Sequence, residues 1–361
     1  MKILWLTNIP SPYRVAFFNE LGKLCDLTVL FEREASSSRD DSWKNFNTDH
    51  FTPVFLKGTP RGTDTAFCPS VTKYLKKNRY DKIIVTNYSD YTGMLAVATL
   101  RLRGIPYIVE GDGAFAGSGK GAKEKLKRFL LRKSALCFST AKPHDDYYRT
   151  YGVTDDRIVR YPFTSLKEAD ILTAPTSAEE KASLRQELGM TEEKILISVG
   201  QFIRRKGYDV LFDALAKLPK NIGCYIIGGT PTEEYLQQAD RLGLENVHFV
   251  GFKLKDELAR YYMAADAFVL PTREDIWGLV VNEAMAKGLP VITTNRCVAG
   301  LELITRPELG QLVPANDAEA LATAIASTLA AKADSSAILS AIAPYTIENM
   351  AKRHMEILKG N

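Results

Sequence analysis

Short apolar runs separated by amphipathic stretches set the rhythm of this chain. Ile3–Thr7 is almost wholly apolar, and Pro10 and Pro12 leave no room for a helix, so the run reads as a strand buried on both faces. Runs at Leu27–Phe31, Thr52–Leu56, Lys82–Thr86, Tyr107–Val109, Ala135–Ser139 and Ile158–Tyr161 predict further strands. Helical patterns at Val15–Leu24, Pro69–Lys77, Thr92–Arg103 and Ala122–Lys133 separate most of them. Strands alternating with helices predict an α/β fold with a doubly wound parallel sheet.

From Thr164 to Thr176 the alternation lapses, which places a domain boundary there. Ser177 and Glu180 form a capping-box pattern that opens a helix ending at Gly189. The strand–helix pattern then restarts: KILISVG at Lys194–Gly200 echoes KILWLT at Lys2–Thr7. Strands follow at Cys224–Ile227, Val247–Val250, Ala267–Leu270, Val291–Thr294 and Gln311–Val313, and an amphipathic helix at Ile347–Leu358 closes the chain. The expected organisation is a first doubly wound domain over 1–165, a second over 166–345, and a terminal helix over 346–361. Two such domains facing one another make a cleft at their carboxyl edges.

Composition narrows the class. With 361 residues, 45% hydrophobic and 25% charged, the chain suits two globular domains. Five scattered cysteines and four histidines, none at metal-ligand spacing, point to a reducing compartment with no disulfide frame and no zinc site. Met1-Lys2 leads straight into a strand without a signal-peptide pattern, and no apolar run reaches ~18 residues, so the expected location is cytoplasmic. The net charge of +4 hides an asymmetry: residues 1–165 carry about +9 and the remainder about −5. A basic first half fits an anionic surface or substrate. The helix at Ala122–Lys133 concentrates that charge: Lys120, Lys123, Lys125, Lys127, Arg128, Arg132 and Lys133 surround a stripe of Leu126, Phe129 and Leu130. The pattern fits either a core-facing helix with solvated lysines or an anionic membrane surface. No nucleic-acid module accompanies it.

The densest chemistry lies in PTREDIWGLVVNEAMAKGLPVITT, Pro271–Thr294. A strand leads into a polar loop, Trp277-Gly278 opens a helix running to about Lys287, and Pro290 starts the next strand. The free amides of Gly278, Leu279 and Val280 would face the carboxyl edge as an anion site. Asp275 lies just before them and Glu283 one and a half turns into the helix. Carboxylates beside an anion site are useful when the ligand also carries neutral hydroxyls, as a nucleotide sugar does. Structural acids complementing a helix dipole are the alternative. In the loop Gly200–Gly207, the cluster Arg204-Arg205-Lys206 precedes a helix and can clamp a diphosphate or simply be solvated. No G-x-G-x-x-G fingerprint follows either first strand, which argues against a dinucleotide enzyme. Glu110-Gly111-Asp112-Gly113 follows a strand of the first half and reads either as a turn or as a pair of sugar-facing acids.

Asp275, Trp277, Gly278 and Glu283, followed by Ala284, Gly288, Pro290, Val291 and Ile292, resemble the signature of family 4 glycosyltransferases. That family more often has Glu where Asp275 stands. Its Gly-Arg…Lys-Gly motif is matched at Lys206-Gly207, whereas Gln201 stands where Arg is usual, leaving Arg204 or Arg205 to supply the charge. NIPSPYR at Asn8–Arg14 and YPFTS at Tyr161–Ser165 look like family members associated with surface-polysaccharide assembly. The resemblance implies a GT-B fold of two Rossmann-like domains, with the terminal helix crossing back onto the first. It implies that Lys206 with Gln201 or Arg205 holds the diphosphate and that Gly251 and Phe252, with Lys253, border the base. By the same resemblance Glu283 takes the ribose and Asp275 the donor sugar, with Asn8 and Asp112 on the acceptor or sugar side. The implied activity is retaining transfer from a nucleoside-diphosphate sugar to a saccharide or lipid-linked acceptor. No cofactor or metal is expected, and an anionic membrane's inner face is a candidate partner through 120–133. A sugar-nucleotide epimerase on the same fold and a non-catalytic, membrane-associated subunit of a glycan assembly complex are the alternatives.

Overall fold

A computed structural model describes residues 1–34, 47–117 and 121–360. The chain divides into two compact units, one of Met1–Ser165 with Tyr345–Asn361, the other of Leu166–Pro344.

Strands of the first unit are β1 (Lys2–Thr7), β2 (Asp26–Phe31), β3 (Thr52–Phe55), β4 (Thr59–Arg61), β5 (Thr65–Phe67), β6 (Lys82–Val85), β7 (Ile108–Glu110), β8 (Leu136–Ser139) and β9 (Ile158–Arg160). Seven of them form a parallel sheet in the order β3-β2-β1-β6-β7-β8-β9. β4 and β5 pair antiparallel as a separate hairpin. The central strands are apolar on both faces because helices cover both: all of β1 after Lys2 is buried, as is all of β8. The helix expected at Pro69–Lys77 is a short 3-10 turn, Pro69–Lys73. A helix at Lys142–Thr150 was not expected. The terminal helix, Ile347–Gly360, packs in this unit against Pro12–Gly22, burying Met350, His354, Met355 and Leu358.

The second unit carries β10 (Lys194–Val199), β11 (Ile222–Ile227), β12 (Val247–Val250), β13 (Ala267–Leu270), β14 (Val291–Thr294) and β15 (Gly310–Val313). They form a parallel sheet in the order β12-β11-β10-β13-β14-β15. Ser177 caps its first helix, Ala178–Glu187, by accepting from the Glu180 amide at 3.1 Å.

Strand order reverses direction beside β1 in the first sheet and beside β10 in the second. At such a switch point the loops after two neighbouring strands leave on opposite faces and open a crevice at the carboxyl edge. β10 neighbours β13 in space, so the loop after β10 and the loop after β13 meet there.

Candidate active site

Those two loops carry Lys206 and Asp275. Lys206 Nζ donates to Asp275 Oδ2 at 2.6 Å, and Arg205 Nη1 stands 3.3 Å from Asp275 Oδ1. Both members of the closer pair are nearly buried, with 12% and 10% of the side chains exposed, whereas Arg205 is about half exposed. A pair this well shielded keeps most of its electrostatic strength, unlike a surface pair.

Backbone contacts hold the loops together. Thr272 Oγ1 and the Arg273 amide both donate to the Arg205 carbonyl, at 3.0 and 2.8 Å. Arg273 grips Asp209 through both terminal nitrogens, at 2.8 and 2.5 Å. Gly207 makes this approach possible. Its φ is +73°, and a Cβ there would stand 2.2 Å from the Pro271 carbonyl oxygen. Beyond Asp275, Gly278 adopts φ +102°, and the helix Leu279–Met285 begins; it ends two residues earlier than expected. A Cβ on Gly278 would lie 2.9 Å from Cys297 Sγ. Trp277 is buried beneath this turn, donating its indole N–H to Asn282 at 2.8 Å. Burial beside Asp275 pushes the Cys297 thiol up to about 11, so it stays neutral and donates to the Trp277 carbonyl. Glu283 lies on the helix, where Tyr262 Oη donates to its Oε2 at 3.2 Å. Burial and the Glu283 charge hold the Tyr262 phenol well above its ordinary value, which keeps it a donor.

The structure therefore brings together Lys206, Arg205 and Asp275, with Gly278, Leu279, Val280 and Glu283 on the adjoining turn and helix. Gln201 is exposed on the loop after β10. Gly251 and Phe252 follow β12 and are exposed, Phe252 by 58%. Tyr262, Arg273 and Asp209 were not singled out from sequence. Tyr262 falls at a helix position that reads as plain core, and the Arg273–Asp209 pair spans 64 residues.

In the first unit, Asn8 follows β1 and Asp112 lies two residues beyond β7. Asp112 accepts from Tyr13 Oη at 2.7 Å and is paired with Arg14. Glu110, read as a possible sugar contact, is instead fully buried. It accepts from Arg14 at 2.8 Å, Tyr161 at 2.7 Å and Thr86 at 3.0 Å. Thr86 in turn accepts from the Trp5 indole at 2.8 Å. This network ties the ends of β1, β6 and β7 together and leaves Asp112 as its partly exposed member. Along Ala122–Leu131, Leu130 is buried while Leu126 and Phe129 are 43% and 49% exposed, so the expected stripe splits between core and surface. Lys120 lies outside the described residues.

Two family models cover most of the chain: a glycosyl transferase 4-like domain at residues 25–164 and glycosyl transferases group 1 at residues 180–343. A Bacillus subtilis protein named for teichuronic acid biosynthesis, the glycosyltransferase TuaC, is 25% identical over 90% of this chain and 88% of its own. The Escherichia coli lipopolysaccharide glucosyltransferase WaaG is 34% identical over 46% of this chain and 45% of its own. The D-inositol 3-phosphate glycosyltransferase of Xylanimonas cellulosilytica is 30% identical over 56% of this chain, which spans only half of that relative. Among solved structures, Anabaena HepE in complex with UDP superposes with a TM-score of 0.79 at 19% identity, covering all of both chains. A crystal structure of WaaG gives 0.70 at 16% identity over 99% of this chain and all of that one. These likenesses show the fold. With both family models matched and these named relatives alongside, the chain belongs to the family 4-like, group 1 glycosyltransferases of GT-B fold.

Proposed function

We propose that the protein transfers a sugar, with retention at the anomeric carbon, from a nucleoside-diphosphate sugar to a saccharide or lipid-linked acceptor in polysaccharide or glycan assembly. The observation that carries this reading is the shielded Lys206–Asp275 pair at the switch point, beside the turn into Leu279–Met285. A nucleoside diphosphate is already a good leaving group, so its departure needs charge stabilisation more than a proton. Lys206, Arg205 and the amides of Gly278–Val280 supply it. Donor binding redirects Lys206 toward phosphate, which leaves Asp275 to accept from a sugar hydroxyl. Glu283, with one oxygen fixed by Tyr262, accepts from the ribose hydroxyls, and Phe252 and Gly251 border the base. The acceptor hydroxyl enters on the face from which the phosphate leaves, and a phosphate oxygen takes its proton.

Support comes from the company the chain keeps. HepE was solved with UDP and with UDP-glucose. TuaC and WaaG are named for teichuronic acid and lipopolysaccharide. The reading asks for no metal, because protein groups meet the developing charge. A screen of nucleotide sugars, first for slow hydrolysis and then for transfer, tests it. Activity persisting in excess chelator and a product of retained configuration by NMR are expected. Loss of activity in chelator, restored by a divalent ion, removes the metal-free mechanism, and an inverted product removes the retaining one. Conversion of the donor alone to its epimer would favour the epimerase.

The same reading places the acceptor at a membrane's inner face. Leu102, Leu126 and Phe129 are 89%, 43% and 49% exposed. Arg101 is bonded to the Phe129 carbonyl and covers that ring at 3.8 Å. Lys123, Lys125 and Arg128 are exposed on the same helix. Among the described residues no helix is long and apolar enough to cross a membrane. Apolar side chains amid basic ones fit an anionic lipid surface.

A further inference from the structure

At the amino edge of the second sheet, opposite the edge that carries Lys206 and Asp275, lies a cavity of about 40 Å³. Its wall includes Thr176, Lys181, Asp266, Lys287, Gly288 and Ser335. Asp266 immediately precedes β13, and Gly288 lies just before β14. At roughly 10–15 Å³ per water, the space holds about three waters or one small polyatomic ion, and no nucleotide.

The hydrogen bonds around it are unevenly spent. The one carboxylate in the wall is engaged: Asp266 accepts from Arg185 at 2.7 Å, from the Ile195 amide at 2.8 Å and from Lys181 at 3.3 Å. Lys181 gives a second proton to the Ala265 carbonyl at 2.8 Å. Among the described residues Lys287 gives one, to the Asp170 carbonyl at 2.6 Å. Among the described residues, Thr176 Oγ1 is buried without a partner and Ser335 makes no side-chain hydrogen bond. What remains unspent is donor capacity on two ammonium groups and two hydroxyls. Burial lowers the pKa of both lysines. Asp170, Asp256 and Glu283 on neighbouring elements pull Lys287 back up, and Lys255 opposes them. A buried hydroxyl without a partner and two half-buried cations are costs that a bound anion removes.

We propose that this cavity binds one small oxyanion, with inorganic phosphate as its simplest occupant, at a site separate from the candidate active site. The anion accepts from Lys287, Lys181, Thr176 and Ser335. It thereby ties together three elements: the stretch 170–176 that opens the second unit, the Gly288 turn after Leu279–Met285, and the start of Ser335–Ile342. The Leu172 amide already donates to the Ala286 carbonyl at 3.0 Å, so the first of these elements lies against the second before any ion arrives. Occupancy stabilises the second unit and takes no part in transfer.

Thermal denaturation in increasing inorganic phosphate, with chloride holding ionic strength constant, tests the site. The deciding titration contains saturating nucleoside diphosphate, so that the Lys206 loop is not available to phosphate, and a control titration omits it. The full chain should gain about 2–4 °C once phosphate is several-fold above its Kd. Lys287→Met and, separately, the near-isosteric Thr176→Val should lose that gain, and Thr176→Val keeps the test sound should Lys287→Met fold poorly. An equal gain in both variants, or none in the parent protein, overturns the proposal. A gain seen without nucleoside diphosphate but abolished by it places the anion at Lys206; that result overturns the cavity site and leaves the active-site reading standing. If nucleoside diphosphate alone shifts nothing, the active-site reading is what suffers, and the variants still decide the cavity.

Discussion

Lys206 and Asp275 are each other's partner at 2.6 Å, although 69 residues separate them in sequence. Removing the lysine therefore does two things. It takes a charge-assisted donor from the diphosphate, and among the described residues it leaves Arg205 as the cation beside Asp275. Lys206→Ala should cost about 2–3 kcal/mol in kcat/KM, roughly a hundredfold. Adding Asp275→Asn to it should cost less than the two single changes together, because residues in direct contact do not act independently. Steady-state kinetics on the four proteins measures the coupling, and strict additivity would show that the pair does not work as one unit. Arg205, at 3.3 Å from Asp275, should matter more than the exposed Gln201. If Gln201→Ala proved the harsher change, Gln201 would be doing the work that the family assigns to Arg.

At the scale of elements, hydrophobic pattern located the strands well because most are buried on both faces. Val247–Val250, Ala267–Leu270 and Val291–Thr294 lie where their apolar runs place them. The hairpin of β4 and β5 escaped because Thr59–Arg61 is exposed throughout and contains a proline, so it carries no alternation. Lys142–Thr150 escaped because it buries polar and aromatic residues, His144, Asp145, Tyr147 and Tyr148, where the pattern looks for aliphatic ones. In the site, the glycines and acids were legible as motifs, but their pairing was not. Only the β10–β13 adjacency makes Lys206 and Asp275 neighbours. The helix Ala122–Leu131 shows the same limit from the other side. Its charge was plain, yet whether its apolar residues faced core or solvent depended on packing, and they divide. With Leu126 and Phe129 outward, the protein should sediment with vesicles containing anionic lipid and release at high salt. Leu126→Ser with Phe129→Ser should weaken that binding while leaving hydrolysis of the donor unchanged. Equal sedimentation with neutral and anionic vesicles would end the membrane reading.

At the scale of the molecule, the first unit is closed by residues from the far end of the chain, and its acid response follows from that. His354, on the terminal helix, is fully buried, stacks on Phe138 with ring centroids 4.4 Å apart, and packs against Phe17 and Tyr161. Burial, opposed by the Met350 carbonyl, lowers its pKa to about 3. His144, stacked on Tyr148, is likewise pushed down to about 3 by burial. In the unfolded chain a histidine takes its proton near pH ~6.5. Each of these histidines therefore adds stability that is present above that pH and lost as pH falls through 6.5 toward 3. Glu32 works in the opposite sense. Burial lifts its carboxyl to about 7 against the Ala66 amide, with Asp90 adding to the rise. Its contribution is largest at low pH and is lost as pH climbs through 7. Between pH ~5 and 6.5 these two histidines oppose Glu32, a net of one proton among the three groups, worth up to about 1.4 kcal/mol of stability lost per unit of acidification; Asp112 and Asp90, whose carboxyls burial also raises, oppose the histidines and make the slope shallower. His354→Phe keeps the stack on Phe138 and removes one histidine, leaving His144 balanced against Glu32. Denaturant midpoints of this variant should fall less steeply from pH 6.5 to 5 than those of the parent protein. An unchanged acid slope in His354→Phe would show that His354 is not the neutral, buried group that holds the end of the chain in the first unit.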